Sequence, residues 1–213
     1  MTVAVKEKIE EGDFFDDNER MERLDVIFAN RYLEAFDRFR QGESPTRSWD
    51  YACRAADQWW PIVLQHLLLG MNAHINLDLG IAAAQTVPAS ELPQLQDDFN
   101  RINQVLADLV GEVKAELAQI WRTLRFFNRY LGDVQHAIIN FSMSKARDEA
   151  WAVATRLAPL GEKERASAIE HLDRDVVGVG RIVRRPGIAV GMVLKLVRIG
   201  EVGWVKTKIE ILR

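Results

Sequence analysis

One apolar run constrains the fold of this chain more than any other feature. Residues 62–84 consist mostly of leucine, isoleucine, methionine and alanine, and Asp78 is their only charged side chain. A helix that is apolar in most directions is typically central, with neighbours on several sides. The same run contains two histidines, two asparagines and a glutamine, and buried polar groups cost free energy unless they are bonded. It therefore predicts a central helix that holds either an internal hydrogen-bond network or a site.

The remaining sequence is helical in its periodicity almost throughout. Residues 19–40, for example, place apolar side chains at steps of three and four, directly after capping residues Asp16, Asp17 and Asn18. Further helices are predicted from Ser44 or Thr46 to Trp60, and at 94–130, 133–158, 162–177, 188–199 and 201–212, where the alternation from Val202 to Leu212 also allows a strand.

We therefore predict an all-α fold, an irregular helix bundle of about seven to nine helices around the central helix 62–84. Residues 1–18 are expected to be a flexible N-terminal segment. Residues 19–213 are expected to form a single helical domain, with 181–213 as a basic C-terminal extension packed on it.

Cysteine usage and hydropathy give expectations about location. The chain of 213 residues has one cysteine, Cys53, so no internal disulfide can form, which fits a reducing compartment and a cytoplasmic protein. The first residues lack the pattern of a secretory peptide, and no stretch offers about 18 uncharged apolar residues. We expect no membrane span.

Charge is distributed unevenly along the chain. The formal net charge is −3, yet residues 176–213 hold eight basic side chains against two acidic ones. This favours either an ordinary solvated surface or weak contact of 181–213 with an anionic membrane surface. We expect no nucleic acid partner, and the sequence does not indicate an oligomeric state.

Two polar stripes run along apolar helices. At about 100° per residue the first forms one slowly turning face, with three amide side chains nearly opposite. Its glycine is favoured if a backbone or a ligand comes close. The first face is His66, Gly70, His74 and Asp78, and the opposite amides are Gln65, Asn72 and Asn76.

The second stripe repeats the pattern at a spacing of four residues. It consists of His136, Asn140, Ser144 and Asp148, with Arg147 beside it and Asp133 one turn before it. If the two stripes face each other, the protein has a polar interior with three histidines and several carboxylates. The sequence leaves open whether they do.

Three hypotheses follow for these stripes. A divalent metal (zinc, iron or manganese) could be held by His66, His74, Asp78 and His136, since histidine and aspartate at i and i+4 can share one ion. Alternatively, the catalytic group is a metal-free acid–base set of His74, Asp78 and His136. In the third hypothesis the polar groups are structural, and the asparagines bond neighbouring backbones. Side chains expected to assist binding are Gly70, Asn72, Asn76, Asn140, Arg147 and Asp148.

The run from Gly70 to Leu79 resembles the signature of a bacterial all-helical family of unassigned function, with the pattern H-x3-G-x-N-A-H-I-N-x-D-L. In that family an Asp-Phe helix and an Ala-Arg-Asp/Glu-x-Ala-Trp helix follow. Here these are Asp98-Phe99 and 146–151, and the resemblance covers roughly residues 20–180. The family often has proline after Asp-Leu, where this chain has Gly80. The resemblance implies a fold and a shared site, without an activity.

A second likeness concerns chemistry. His74-x3-Asp78 is similar to a metal-binding helix pair in zinc-dependent phospholipases C, although their N-terminal tryptophan and further histidine pairs are missing here. It implies a metal-dependent hydrolase acting on a phosphoester or lipid-like substrate. The alternative is a non-enzymatic binding or scaffold module, with a small-molecule or lipid-like ligand or none.

Overall fold

The computed structural model describes residues 2–103, 105, 143–187, 191, 192, 194, 195 and 198. Throughout this part of the chain the regular elements are helices and none is a strand, which confirms the all-α prediction. Four predicted helices lie partly or wholly outside the described residues: 94–130, 133–158, 188–199 and 201–212. Numbered over the described residues, the helices are α1 (Thr2–Glu11), α2 (Asn18–Arg40), α3 (Arg47–Ala56), α4 (Val63–Ala73), α5 (Gly80–Thr86), α6 (92–103), α7 (Met143–Leu157) and α8 (Glu162–Arg184).

The predicted central helix is present. Helix α4, a π-helical segment (His74–Leu79) and α5 form one continuous helix of 24 residues, Val63–Thr86. By length and composition alone this helix could cross a membrane, which we had not expected of any segment. However, 67 % of its most apolar window is buried inside the protein, as is usual for the core helix of a bundle. Its neighbours include α2, α3, α7 and α8.

The π-helical segment His74–Leu79 is absent from the sequence interpretation. A π-helix bonds each backbone N–H to the carbonyl five residues earlier, so each turn holds more residues and each residue rotates by less than the 100° that we assumed. Such segments occur frequently at functional sites. Here the wide turn contains both His74 and Asp78.

The start of α3 depends on a distant residue. Thr46 stands at the capping position as predicted, but its side chain makes no capping bond. Instead the buried carboxylate of Asp173 on α8 accepts from the backbone N–H groups of Arg47 (2.7 Å) and Ser48 (2.9 Å). The helix ends at Ala56, before Trp60, and the cap joins α3 to α8. By contrast α2 has a local cap, because Asp17 accepts from the backbone N–H of Arg20 at 2.9 Å, as predicted.

The N-terminal segment differs from the flexible stretch that we expected. Residues Thr2–Glu11 form α1, and Val5 and Phe15 are buried in the main core because both are apolar. The backbone N–H groups of Asp16 and Asp17 donate to the side chain of Asp98 on α6, at 2.7 and 3.1 Å. This segment therefore packs on the bundle. The extent of the single domain stays a prediction.

Asp98 is a fully buried carboxylate with four donors. Besides the two backbone groups, Arg20 Nη2 donates at 2.7 Å and Arg101 Nη1 at 2.8 Å. Burial by itself raises the pKa of Asp98, but the hydrogen bonds from Asp16, Arg20 and Asp17 outweigh it, and the pKa is lowered from its ordinary value. Asp98 therefore holds the N-terminal segment and α2 onto α6.

Helices α5 and α7 approach each other closely at Gly80. A Cβ atom at Gly80 would lie 2.6 Å from Val153 Cγ1 and 2.8 Å from the carbonyl oxygen of Ala150, both on α7. A proline or alanine would not fit there, which explains why this chain has glycine. At Gly70, where we expected a close approach, a Cβ atom would meet nothing within 4 Å.

We expect opposite effects from alanine at these two glycines. Gly80→Ala should lower the free energy of unfolding by about 1–3 kcal/mol, because α5 and α7 must separate. Gly70→Ala should raise it by up to about 1 kcal/mol, because alanine is the better helix former and space is open. Urea unfolding of both variants measures this. Equal effects of the two substitutions would contradict the packing described.

Acid should weaken the Asp98 junction. A carboxyl whose pKa is lower in the folded protein contributes stability that is fully present above its unfolded pKa, about 3.9, and is lost as the pH falls through the folded pKa. Asp98→Asn should lower the free energy of unfolding by about 3 kcal/mol at pH 7. In acid, the difference in free energy of unfolding between this variant and the wild type should become smaller. Urea unfolding from pH 7 to about pH 2 measures this. The control is Asp97→Asn, at an exposed neighbour, and a pH-independent difference for Asp98→Asn would contradict the assignment.

Candidate functional site

The carboxylate of Asp78 is the centre of the site. It is 1 % exposed, and each oxygen has a partner from a different helix. Arg31 Nε on α2 donates to Oδ1 at 2.8 Å, and Trp49 Nε1 on α3 donates to Oδ2 at 2.7 Å. A buried charge is expensive unless it is paired and hydrogen-bonded, and both conditions are met here.

His74 lies one turn before Asp78 and joins the same carboxylate. Its Nδ1 is 3.5 Å from Asp78 Oδ2. Because a carboxylate can only accept, this contact requires the proton on Nδ1, and the imidazole then presents Nε2 away from Asp78. The His74 side chain is 28 % exposed, whereas that of Asp78 is almost fully enclosed. The pair therefore has a buried end and an end that solvent reaches.

Aromatic rings surround the imidazole. Phe28 stacks on His74 with centroids 3.7 Å apart and ring planes 8° apart. Tyr32 and Trp49 stand tilted at 6.0 and 5.9 Å from the same ring and 5.3 Å from each other. Tyr32 is 40 % exposed, so the wall continues to the surface. We call Phe28, Arg31, Tyr32, Trp49, His74 and Asp78 the His74 site.

Arg31 has binding capacity to spare. It uses Nε on Asp78, and no partner for its two Nη groups occurs in the described part of the chain. Its side chain is partly exposed. Up to four N–H donors and a positive charge thus stand beside the imidazole, an arrangement that suits an anionic group.

The amides opposite this face are structural. Asn72 Nδ2 donates to the carbonyl of Val176 at 2.8 Å, and Asn76 Nδ2 donates to Asn72 Oδ1 at 2.9 Å. Gln65 Nε2 donates to the carbonyls of Val183 and Arg184 at 2.8 and 3.2 Å. Gln65 and Asn72 therefore join α4 to α8, and Asn76 supports Asn72. The expected role of Asn72 and Asn76 in binding stays a prediction. No atom of the described chain would lie within 4 Å of a Cβ at Gly70, and its expected role in binding stays a prediction.

Three of the four predicted metal ligands lie in the described part of the chain. Within the described ranges no three His, Cys, Asp or Glu side chains come together as metal ligands, so His66, His74 and Asp78 do not form such a group. Both oxygens of Asp78 already accept from Arg31 and Trp49. His136 and Asn140 lie outside the described residues. Any contact of these two residues with the first stripe therefore also lies outside the described part of the chain.

Of the two predicted binding residues on helix α7, Arg147 is buried and Asp148 is exposed. Asp148 is exposed, because the core-facing side of α7 consists of Ala146, Arg147 and Ala150. Arg147 is buried, donates to the carbonyl of Phe99 and lies 4.3 Å over its ring. Burial lowers the pKa of Arg147 to about 10, although Asp148 opposes this, so the guanidinium stays charged at neutral pH. Arg147 is therefore a helix contact.

Cys53 is not an activated nucleophile. It packs partly buried beside Trp49 and Ala73. Burial first, and then Asp50 and Asp57, raise the pKa of its thiol above the ordinary value. A thiolate at neutral pH is therefore disfavoured.

Four members of the His74 site escaped the sequence interpretation. Phe28, Tyr32 and Trp49 are aromatic residues on predicted helices, a pattern that usually indicates core packing. A buried indole N–H needs an acceptor, and this was a usable signal for Trp49. Arg31 gave no signal, because it is one of several charged residues on α2. Its partner Asp78 is 47 positions away.

The fold and the site define an all-helical protein with a buried aspartate that binds an arginine, an indole and a partly exposed histidine. A family model for a family of unknown function, DUF5995, matches residues 1–186, and the chain belongs to this family. No curated protein and no solved structure matches the chain.

Substitutions of Asp78 and of His74 should lower the free energy of unfolding by different amounts. Asp78→Asn should lower the free energy of unfolding by about 3–5 kcal/mol, because it leaves the Arg31 charge without its partner. His74→Ala should cost only about 1–2 kcal/mol, since it removes one long contact and one ring stack. Urea unfolding at pH 7 measures both. A cost of His74→Ala equal to that of Asp78→Asn would assign His74 to the structural network.

Proposed function

We propose that this protein binds an anionic small molecule at the His74 site and that His74, oriented by Asp78, exchanges a proton with it through Nε2. The observation that carries the proposal is the asymmetry of the pair. Asp78 is enclosed and fully bonded, while His74 is solvent-accessible and held by ring contacts and one long contact. A carboxylate that fixes the tautomer of an accessible histidine is the arrangement of a general acid or base.

The ligand is proposed to have two parts. The Nη groups of Arg31 would bind a phosphate or carboxylate group, and the rings of Tyr32 and Trp49 would pack on an apolar or flat body. A phosphoester fits both, and in its hydrolysis His74 Nε2 would take a proton from the attacking water and return it to the leaving oxygen of the ligand. This agrees with the phosphoester or lipid-like substrate that the resemblance to phospholipases C implied.

A metal-dependent reaction at the His74 site is less favoured than the metal-free one. A zinc, iron or manganese ion at His74 and Asp78 would have to displace Arg31 or Trp49 from the carboxylate. Removing either donor leaves buried polar groups unpaired. The metal-free chemistry needs no such rearrangement.

The competing function is a scaffold without a ligand. It is favoured by the amide row, because Gln65 and Asn72 are satisfied by backbone carbonyls of α8. The scaffold hypothesis extends this role to His74. It therefore predicts that altering His74 changes stability alone.

Binding of simple anionic aromatics should reveal the site. Phenyl phosphate and benzoate should bind the wild type, as measured by saturation-transfer NMR, and benzyl alcohol should bind less. Tyr32→Ala and His74→Ala should each weaken binding by about three- to tenfold through the loss of a ring contact. Addition of zinc or of a chelator should change nothing.

Leu33→Ala is the matched control, because Leu33 is an exposed apolar residue next to Tyr32 on the same helix, and the substitution should leave binding unchanged. Failure of the wild type to bind either anion would remove the proposal in favour of the scaffold. Binding that appears only with added metal would favour the metal-dependent version.

A further inference from the structure

An exposed tryptophan marks a second surface, away from the contacts of the His74 site. Trp59 lies in the loop between α3 and α4 and is 69 % exposed. Its ring is 6.4 Å from that of Trp60. Tryptophan has a large apolar area and one N–H donor, and it is enriched where one side of a surface meets water and the other an apolar phase.

Contacts join this loop to the end of α8 and to the chain beyond it. Arg198 Nε donates to the carbonyl of Trp59 at 2.7 Å, and its guanidinium lies 5.0 Å from the Trp59 ring. Arg184 donates to the side chain of Gln58 and lies 5.3 Å from the ring of Tyr51. The loop, Arg184 and Arg198 therefore form one surface.

This surface has exposed apolar residues as well as charge. Ile182 on α8 is 68 % exposed, and its neighbours in sequence Arg181 and the C-cap residue Arg185 are exposed as well. Met192 is also exposed. Large aliphatic side chains at such exposure lose the free energy of burial, so their presence close in sequence to these arginines indicates a partner with an apolar phase.

The charge of the surface is predominantly positive. Residues 176–200 contain no acidic side chain, and Asp57 is the one acid in the loop 57–61. We call the following set the tryptophan–arginine patch: Trp59, Arg181, Ile182, Arg184, Arg185, Met192, Lys195 and Arg198.

We propose that the tryptophan–arginine patch docks on the surface of a membrane that contains anionic lipids. The basic side chains would contact lipid phosphates and acidic headgroups, while Trp59, Ile182 and Met192 enter the boundary between headgroups and acyl chains. A nucleic acid would use the charge but not the exposed aliphatic side chains, and the chain as a whole carries net charge −3.

Docking leaves the fold unchanged. The apolar helix Val63–Thr86 begins directly after the loop, but it is buried by its neighbours. The patch needs only side chains that are already at the surface. The protein would therefore bind reversibly and in a salt-dependent way, as peripheral proteins do.

The test is co-sedimentation of the purified full chain with vesicles. Binding to phosphatidylcholine vesicles that contain about 30 % phosphatidylserine should exceed binding to pure phosphatidylcholine, and about 0.5 M salt should reduce it. Arg181→Glu with Arg185→Glu should weaken binding by about 25-fold or more, since each basic residue near the surface contributes roughly fivefold. Trp59→Ala should weaken it at constant charge.

Two matched controls keep the charge and the apolar arguments apart. Arg156→Glu with Lys163→Glu makes the same charge change at exposed positions on α7 and at the start of α8, and it should leave binding nearly unchanged. Val26→Ala removes an exposed apolar side chain on α2 and should do the same. Circular dichroism confirms that each variant is folded.

Three results would overturn the proposal. The wild type could fail to bind anionic vesicles at low salt, it could bind both vesicle types equally, or the two double variants could lose binding to the same extent. Binding to a mixed-sequence oligonucleotide without binding to vesicles would assign the patch to nucleic acid instead.

Discussion

The buried carboxylate of Asp78 is the interaction on which the rest of the structure depends. It lies in the π-helical segment of the central helix, and its partners Arg31 and Trp49 come from α2 and α3. An unpaired carboxylate there would cost several kcal/mol, so the three elements can pack only in the arrangement that brings both donors to it. The same arrangement places Phe28 and Tyr32 around His74. The site is therefore a consequence of how the core is held together.

Two more buried carboxylates act in the same way. Asp98 accepts from the backbone of Asp16 and Asp17 and from Arg20, and Asp173 accepts from the backbone at the start of α3. Each bonds groups far away in sequence, so each fixes the position of a segment that local propensity would leave free. The family-like motif Asp98-Phe99 and the motif around Arg147 meet at such a junction, where Arg147 covers the Phe99 ring. These motifs describe joints of the fold.

The parts of the fold that were predictable are those that depend on local pattern. The apolar periodicity predicted α2 and the central helix, and Asp17 was identified as a cap because its partner is three residues away. Tertiary partners were not predictable: Asp173 caps α3 from another helix, and Arg31 had no distinguishing neighbour in sequence. The π-helical turn also escaped, since a fixed 100° per residue cannot represent it. His74 and Asp78 were found because polar groups in an apolar run need an explanation, whereas Asp148 was misplaced because spacing alone does not say which face is buried.

Helix α3 connects the two proposals and also keeps them separable. Trp49 in its first turn belongs to the His74 site, and Trp59, three residues beyond its end at Ala56, belongs to the tryptophan–arginine patch. Ten residues of helix are about 15 Å long, so Trp49 and the loop that carries Trp59 lie at opposite ends of α3. A lipid-like substrate would make both surfaces parts of one function, because docking would bring its headgroup near the helix that carries Trp49. A soluble anionic substrate would leave them independent, and loss of vesicle binding would then not alter ligand binding at His74.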